Sequence, residues 1–415
     1  MRPKSRSVTP AVTPAVTPVV VLHLDNTTGL QAARTFGKLG VPVIGIADNP
    51  HHFCCRTKHV KRVIQAEIEE PGLTTVLLRL AQEIDGKAVL WPCSDAAVLA
   101  VSHDRAALAA HYLFDLPPHD TVLDVMQKAR FYRRALESEL PIPRTAFIDT
   151  PRDVETACET LCFPCALKPS MRTAAWKAKT GVKAYKVEDA AALRRLVAEL
   201  GSCDTPLIVQ DWVEGGDGEL FSCYAYVNED QELLAAATCR KIRQWPPDTG
   251  AGCSNRICEA PELVETTRRV CRQMHCWGLI FIQFKQDPRD GRPVIIEPHV
   301  GRPGVGLFVA EAAGAEMHRT VYCDLLGQAL PGNRRPIRDD AVWVHVFNDI
   351  RSALALRRRG ELTLGSWLRS LRGHRRTAVF SWTDPLPFIL EITRSTRRFM
   401  HRRDSRKIRR FATEN

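Results

Sequence analysis

The N-terminal third of the chain alternates short apolar runs with amphipathic segments. Residues 19–24 form a β-branched apolar run that predicts a buried strand, and residues 26–29 predict a helix entry. Apolar residues then recur at helical spacing over 30–39, Gly40 ends the helix, and residues 41–46 predict a second strand. This order predicts a strand–helix–strand unit with parallel strands.

The same pattern continues to about residue 115. A helix is predicted at about 72–85, a strand at 88–91, and a further helix after Ser94 and Asp95. Residues 19–115 therefore predict a doubly wound α/β domain, in which ligands lie at the carboxyl ends of the strands.

The pattern changes from Asp124 onward, where helices and strands alternate without the parallel-sheet order. Helices are predicted at 124–138, 151–161 and 262–276. Strands are predicted between them, at 165–168, 184–187, 207–210, 220–227 and 233–239. Such a mixture predicts an α+β domain.

A β-hairpin carries the first candidate site. Strands are predicted at 279–286 and 293–297, joined by the turn residues 287–291. Side chains alternate along a strand, so Glu297 and His299 share one face, and an antiparallel partner brings Gln283 beside them. A carboxylate with neighbouring neutral donors suits Mg²⁺. The alternative is a solvated strand end without a ligand.

Cationic residues form a second candidate set, suited to phosphate groups. Lys128 opens a predicted helix, Lys168 ends a strand, and Lys241 and Arg243 follow another strand. Each of them taken alone is more commonly an ordinary solvated side chain. Lys168 is as compatible with a functional role as with a solvated one, because it follows an apolar run where a charge needs a partner. Between these cations, residues 210–217 turn from a strand into a polar, glycine-rich segment.

In chain order these segments resemble an ATP-grasp ligase, and more narrowly the ATP-grasp proteins described as carboxylate–amine ligases. The resemblance covers most of 19–330 and is carried by five blocks, residues 127–132, 163–169, 209–217, 240–247 and 283–302. It implies a fold of both α/β and α+β type. A Rossmann-like pre-ATP-grasp domain (19–120) would precede a two-subdomain ATP-grasp fold (121–330), whose central subdomain would span about 145–215.

The resemblance also implies a role for each candidate residue. Lys128 and Lys168 would contact the phosphates of ATP, and Asp217 would bind the ribose. Lys241 and Arg243 would lie near the γ-phosphate or the activated substrate, and Arg302 would stabilise a phosphorylated intermediate. The adenine site would be lined by Gln210, Asp211, Trp212 and Val213, and the metal by Gln283, Glu297 and His299.

The activity implied by the resemblance is the ATP-dependent joining of a small-molecule carboxylate to an amine, or less often to a thiol. The carboxylate would be activated as an acyl phosphate, with ATP and Mg²⁺ or Mn²⁺ as cofactors and ADP and phosphate as products. Two residues depart from the family pattern. His299 stands where asparagine is usual, and Gln283 stands where an acidic residue is more common. The alternative is therefore a catalytically degenerate nucleotide-binding or scaffold protein.

Composition adds a strongly basic C-terminus. The 415 residues carry a net charge of +11, while residues 331–415 alone hold 20 Lys and Arg against 8 Asp and Glu. We expect 331–390 to pack as an extension on the ligase body. The basic tail, 391–415, could instead contact nucleic acid or an anionic membrane. Proline-rich repeats predict a disordered tail at 1–18.

The cysteines and the apolar runs bear on location. The 14 cysteines lie mostly inside apolar runs without framework spacing, and no run approaches the length of a membrane span. We expect a cytoplasmic protein with reduced thiols and small-molecule partners, and a homo-oligomer is compatible with the sequence.

Overall fold

The computed structural model describes residues 16–69, 72–171, 173–201, 203–248 and 250–394. The chain forms three β-sheets in sequence order. Most of the predicted N-terminal tail and of the basic tail lies outside the described residues. No helix in the described ranges combines the length and apolar character needed to cross a bilayer.

The first sheet is parallel and has the strand order β3-β2-β1-β4-β5. Its strands are β1 (Val19–Leu22), β2 (Val43–Ala47), β3 (Arg62–Gln65), β4 (Ala88–Pro92) and β5 (Tyr112–Leu113). Its helices are α1 (Thr27–Lys38), α2 (Gly72–Ala81), α3 (Asp95–His103) and α4 (Arg105–Leu108), and a 3₁₀ turn covers Phe53–Arg56. The order confirms the predicted α/β domain.

Two consecutive helices lead out of this domain, α5 (His119–Met126) and α6 (Lys128–Glu137). The single helix predicted over 124–138 is therefore wrong. Gln127 has an extended backbone with φ −83° and ψ 113°, which ends one helix and starts the next. The new helix begins against the loop at Ser170, whose backbone carbonyl and hydroxyl accept from the N–H groups of Lys128 (3.2 Å) and Ala129 (3.0 Å). The break thus fixes the position of Lys128.

The second sheet is small and antiparallel, with the order β6-β9-β7-β8. Its strands are β6 (Thr145–Ile148), β7 (Cys165–Pro169), β8 (Tyr185–Val187) and β9 (Leu207–Asp211), and its helices are α7 (Pro151–Thr160), α8 (Ala174–Thr180) and α9 (Ala190–Leu200). Twelve buried residues, Trp176 and Leu193 among them, form a core that belongs to this unit alone.

The third sheet has seven strands in the order β14-β13-β10-β11-β12-β15-β16. They are β10 (Leu220–Val227), β11 (Leu233–Trp245), β12 (Ala251–Cys258), β13 (Gly278–Gln286), β14 (Pro293–Val300), β15 (Ala341–Val344) and β16 (His374–Thr377). The helices are α10 (Pro261–Met274), α11 (Leu307–Ala312), α12 (Met317–Leu325), α13 (Val346–Arg358) and α14 (Leu364–Ser370), and Asp217–Glu219 forms a 3₁₀ turn. The C-terminal extension therefore continues this sheet.

The first and third sheets share their hydrophobic cores. Leu22 of β1 and Val98 of α3 belong to the same buried cluster as Ile280 and Ile282 of β13. Gly301, just after β14, has φ +77°, and a Cβ added there would lie 2.0 Å from Leu116 and 3.3 Å from Val98. Only glycine fits this conformation and this approach, so the end of β14 is held tightly against the N-terminal domain.

Candidate active site

The floor of the site is the hairpin of β13 and β14. In the antiparallel register Gln283 lies opposite Glu297, and Phe281 lies opposite His299. Phe281 stacks on the His299 ring at a centroid distance of 4.1 Å. The expected juxtaposition of Gln283, Glu297 and His299 on one face is thus observed, while their role as metal ligands stays a prediction.

Glu297 is the central anion of this floor. Its Oε1 lies 2.6 Å from Lys128 Nζ, and its Oε2 lies 3.6 Å from His299 Nε2. Burial by itself would raise the pKa of Glu297, but the charge of Lys128 and the hydrogen bond with His299 hold that pKa well below its usual value. The carboxylate is therefore ionised, as a ligand for a hard cation must be.

Lys168 approaches the same region from the small sheet. Its Nζ lies 3.5 Å from the Tyr132 hydroxyl and 5.2 Å from the centre of the Tyr132 ring. That hydroxyl in turn donates to the carbonyl of Ile296 at 2.5 Å. Burial, and then repulsion from Lys128, lower the pKa of Lys168 to about 7. Two ammonium groups therefore lie beside Glu297, and an anion between them would relieve their repulsion.

Arg302 is held at the other side of His299. Its Nη2 lies 3.0 Å from His299 Nδ1, and its guanidinium lies 5.1 Å from the centre of the Phe281 ring. Its Nε donates to the carboxylate of Asp95. The guanidinium is thus fixed close to the predicted metal position.

Asp95 is a site residue that the sequence reasoning missed. Besides its bond to Arg302, its Oδ1 lies 3.5 Å from His299 Nδ1. Burial would raise the pKa of Asp95, but the charge of Arg302 and the hydrogen bond with His299 lower it below the ordinary range. The available signal was its place at the carboxyl end of β4, where ligands of parallel sheets lie.

A second polar cluster lies at the start of the third sheet, around Asp217. The backbone N–H and the side-chain Nε2 of Gln244 donate to the two oxygens of Asp217, at 3.0 and 2.7 Å. Lys241 Nζ donates to Gln244 Oε1 at 3.0 Å, and burial lowers the pKa of Lys241 to about 8. Asp217 and Lys241 are thus linked through Gln244, while their predicted roles at the ribose and at the γ-phosphate stay predictions.

Arg243 is not brought together with Lys241. The β11–β12 register shifts on both sides of Arg243, so the usual alternation of side chains is broken there. Arg243 instead binds Asp349 of α13 (2.7 Å) and the Ser370 hydroxyl (2.7 Å), and both members of the ion pair are at most 3% exposed. The Arg243 guanidinium therefore binds residues of the C-terminal extension.

The segment predicted to line the adenine site follows the edge of the small sheet. Gln210 is buried and donates to the Thr145 hydroxyl at 2.7 Å. Asp211 accepts from Arg144 (2.7 Å) and from the Cys162 backbone (2.9 Å). Both side chains are thus bound within the small sheet.

Trp212 is the member of that segment placed beside cations. Lys186 Nζ lies 5.3 Å and Lys285 Nζ 5.5 Å from the centre of its ring, and its backbone N–H donates to the Pro164 carbonyl at 3.0 Å. Val213, next in the chain, is half-buried. The roles of all four residues in nucleotide binding stay predictions.

Comparison with known proteins gives one curated relative and many similar folds. No family model matches the chain. D-aspartate ligase of Enterococcus faecium (strain Aus0004) is 24% identical over 277 residues, which are 63% of this chain and 65% of that protein. The chain thus spans slightly less than two thirds of the curated relative that it matches.

Solved structures that resemble the chain include ligases and synthetases. N5-carboxyaminoimidazole synthetase from Staphylococcus aureus has a TM-score of 0.61 at 11% identity, covering 83% of this chain and 86% of that one. L-amino acid ligase from Bacillus licheniformis has 0.59 at 16%, covering 79% of each chain. The Aspergillus clavatus carboxyaminoimidazole ribonucleotide synthase complexed with ATP has 0.60 at 13%, covering 82% and 87%.

These likenesses confirm the fold inferred from the sequence. The chain has an ATP-grasp fold of mixed α/β and α+β type, in which a parallel N-terminal sheet precedes a small antiparallel sheet and a seven-stranded sheet that is antiparallel except for its parallel β15–β16 pair. The resemblance to ATP-grasp proteins of the carboxylate–amine ligase type is confirmed with it.

Proposed function

We propose that the protein is an ATP-dependent ligase that activates a small carboxylate as its acyl phosphate and joins it to an amine, releasing ADP and phosphate. The observation that carries this proposal is the cluster around Glu297, an ionised carboxylate with Lys128, Lys168 and Arg302 around it. Phosphoryl transfer depends mainly on positioning and on compensation of charge, and this cluster supplies both.

The donor set fits a divalent cation that bridges phosphates. Glu297 is ionised, Gln283 lies opposite it in register, and His299 Nε2 lies 3.6 Å from its second oxygen. Bound there with ATP, Mg²⁺ or Mn²⁺ would neutralise the negative charge that grows on the transferred phosphoryl group.

The cationic side chains of the site would bind the phosphates of ATP and the carboxylate of the substrate. Lys168, oriented by Tyr132, and Lys128 would hold phosphate oxygens. Arg302, held in place by Asp95, would compensate the charge of the carboxylate while it is phosphorylated. Asp217 and Trp212 would hold the nucleoside part of ATP, and Lys241 would lie near the γ-phosphate.

The first carboxylates to test are amino acids. The curated relative is a D-aspartate ligase, and one structural neighbour is an L-amino acid ligase. We therefore infer that a D- or L-amino acid is the activated carboxylate, with the amine supplied by a second substrate.

Hydroxylamine provides a test that does not require the natural amine. The full chain is incubated with ATP, Mg²⁺ or Mn²⁺, hydroxylamine and a panel of D- and L-amino acids, and ADP and hydroxamate are measured together. We expect both products in equal amounts for one amino acid, because hydroxylamine captures acyl phosphates. Glu297→Gln should abolish them, while Glu262→Gln, at an exposed position on α10, should not.

A second candidate function rests on the departures at the metal position. With Gln283 and His299 in place of further oxygen anions, and with Lys128 bound to Glu297, the chain could bind ATP without turning it over. Binding of ATP with neither ADP nor hydroxamate across the panel would favour this function. Failure to bind ATP at all would contradict both.

A further inference from the structure

A cluster of three metal-ligand residues lies outside the proposed active site. His23 and Asp25 follow β1, and Asp48 follows β2, so all three lie at the carboxyl edge of the parallel sheet. His23 Nε2 lies 3.8 Å from Asp25 Oδ1 and 3.8 Å from Asp48 Oδ2. The three ligand atoms all lie within 4.8 Å of one another.

The backbone holds each carboxylate by the oxygen that faces away from the cluster. The N–H of Asn49 donates to Asp25 Oδ2 at 2.9 Å, and the N–H of Ile68 donates to Asp48 Oδ1 at 2.7 Å. The other oxygen of each carboxylate is the one directed at His23. Such outer hydrogen bonds are the usual way in which proteins orient metal ligands.

The inner oxygen of Asp25 lacks a hydrogen-bond partner among the described residues. The Asp25 side chain is 8% exposed, and its Oδ1 is buried without a hydrogen bond. Across the described ranges, no lysine or arginine forms a salt bridge with Asp25 or Asp48. A buried carboxylate oxygen without a partner is costly, and a bound cation would remove that cost.

We propose that His23, Asp25 and Asp48 bind a first-row divalent cation, Mn²⁺ or Zn²⁺. One imidazole and two carboxylates suit these ions better than Mg²⁺, which prefers oxygen ligands alone. For metal–ligand bonds of about 2.0–2.1 Å, a tetrahedral site needs ligand atoms about 3.3 Å apart. The two distances to His23 are 3.8 Å, and all three ligand atoms lie within 4.8 Å of one another, so side-chain movements of roughly 0.5–1.5 Å would close the site. Three protein ligands also leave a coordination position open.

This cation would be separate from any metal held by Glu297. Asn26, next to Asp25, donates from its side-chain amide to the Cys93 carbonyl at 3.1 Å, two residues before Asp95. The site therefore neighbours the arginine side of the proposed active site, along the same sheet edge. Its open position faces the edge at which ligands of parallel sheets bind.

The test is to titrate Mn²⁺ into the metal-free full chain without ATP. Binding is measured as the decrease of the free-Mn²⁺ signal in electron paramagnetic resonance. We expect His23→Ala and Asp25→Asn each to bind one Mn²⁺ per chain fewer than wild type, or to bind it at least tenfold more weakly. Glu297→Gln and the exposed control His51→Ala should keep this site. Unchanged binding in His23→Ala and Asp25→Asn would overturn the proposal, as would a loss confined to Glu297→Gln.

A second measurement covers the case in which these variants fail to fold. Wild-type crystals are soaked in MnCl₂ or ZnCl₂, and the anomalous difference map is calculated. A peak between His23, Asp25 and Asp48 is expected. Absence of a peak there with both salts would overturn the proposal. This result does not depend on whether the protein is a ligase.

Discussion

The small sheet and the seven-stranded sheet contribute to the site in different ways. The seven-stranded sheet carries Gln283, Glu297 and His299 on a hairpin and shares its core with the N-terminal domain. The small sheet carries Lys168 and has a core of its own. The anionic floor is thus built into the body of the molecule, while Lys168, a predicted phosphate-binding residue, lies on a unit that has an additional core of its own.

The two sheets also differ in how far their charges are compensated. Glu297 has Lys128 and His299 beside it, and its pKa is lowered. Lys168 has the hydroxyl of Tyr132 as its hydrogen-bond partner at 3.5 Å, and its pKa is lowered to about 7. A ligand phosphate would complete the environment of Lys168, so we expect the small sheet to be the part that responds to ATP.

The largest effect is expected at the floor, in Glu297→Gln. Loss of the carboxylate should lower ATP turnover by roughly 10³-fold, because charge stabilisation of the transferred phosphoryl group is lost. The measurement is ADP formation with the amino acid identified in the hydroxylamine assay. Glu262→Gln is the matched control. Near-normal turnover in Glu297→Gln would mean that the hairpin is not the catalytic floor.

A second large effect is expected on the stability of the protein, at the position where Arg243 of β11 contacts the C-terminal extension. Arg243→Met should lower the free energy of unfolding by about 3 kcal/mol, because Asp349 would stay buried without its cation. Lys241→Met should change stability much less, because its amine has only a neutral partner in Gln244. Urea unfolding measures both variants. Equal losses of stability in Arg243→Met and Lys241→Met would contradict the inference that these two residues of β11 have different environments.

An effect of intermediate size is expected on the protonation of Lys168, in the small sheet. Lys168 is charged below pH 7 and neutral above it, and bound phosphate would raise its pKa toward the ordinary lysine value. ATP binding should therefore take up nearly one proton at Lys168 at pH 8.5 and almost none at pH 6. Lys241, with a pKa of about 8, would add roughly 0.8 of a proton at pH 8.5 through its predicted contact with the γ-phosphate.

Calorimetry in two buffers of different ionisation enthalpy measures this uptake. Lys168→Arg should remove the larger share, because arginine stays charged, and Lys241→Arg is the matched variant for the remainder. Proton uptake that is unchanged in Lys168→Arg would show that Lys168 does not contact the phosphates.

The smallest effect is expected at the edge of the small sheet. The Arg144–Asp211 pair is 2.7 Å long, but the arginine side chain is 59% exposed. Arg144→Gln should cost less than about 1 kcal/mol of stability and should leave ATP affinity nearly unchanged. A tenfold loss of ATP affinity would mean that Asp211 acts on the nucleotide through this pair.

The floor of the site was predictable because its signals are local. The alternation of β13 and β14 and the turn between them place Gln283, Glu297 and His299 on one face before any tertiary contact is considered. Asp95 had no such signal, because its partner Arg302 lies 207 residues away in the sequence. Its position at a strand end indicated a ligand edge without naming the partner.

The other structural features that the sequence did not predict also have specific causes. β3 reads Arg-Val-Ile-Gln, too short and too polar at its ends to be recognised as a strand. The direction of Arg243 depends on two register shifts and on Asp349, which comes from a segment whose role the sequence did not reveal. The break at Gln127 depends on Ser170, a contact across two units.

The close packing at Gly301 restricts the exchange of the N-terminal domain between this protein and its relatives. Val98 and Leu116 of the N-terminal domain press on the residue that separates β14 from Arg302. An N-terminal domain transplanted from a relative would have to bring matching side chains at these two places, or it would displace the arginine. The position of Arg302 is therefore better altered by point changes around its partner Asp95 than by exchange of whole domains.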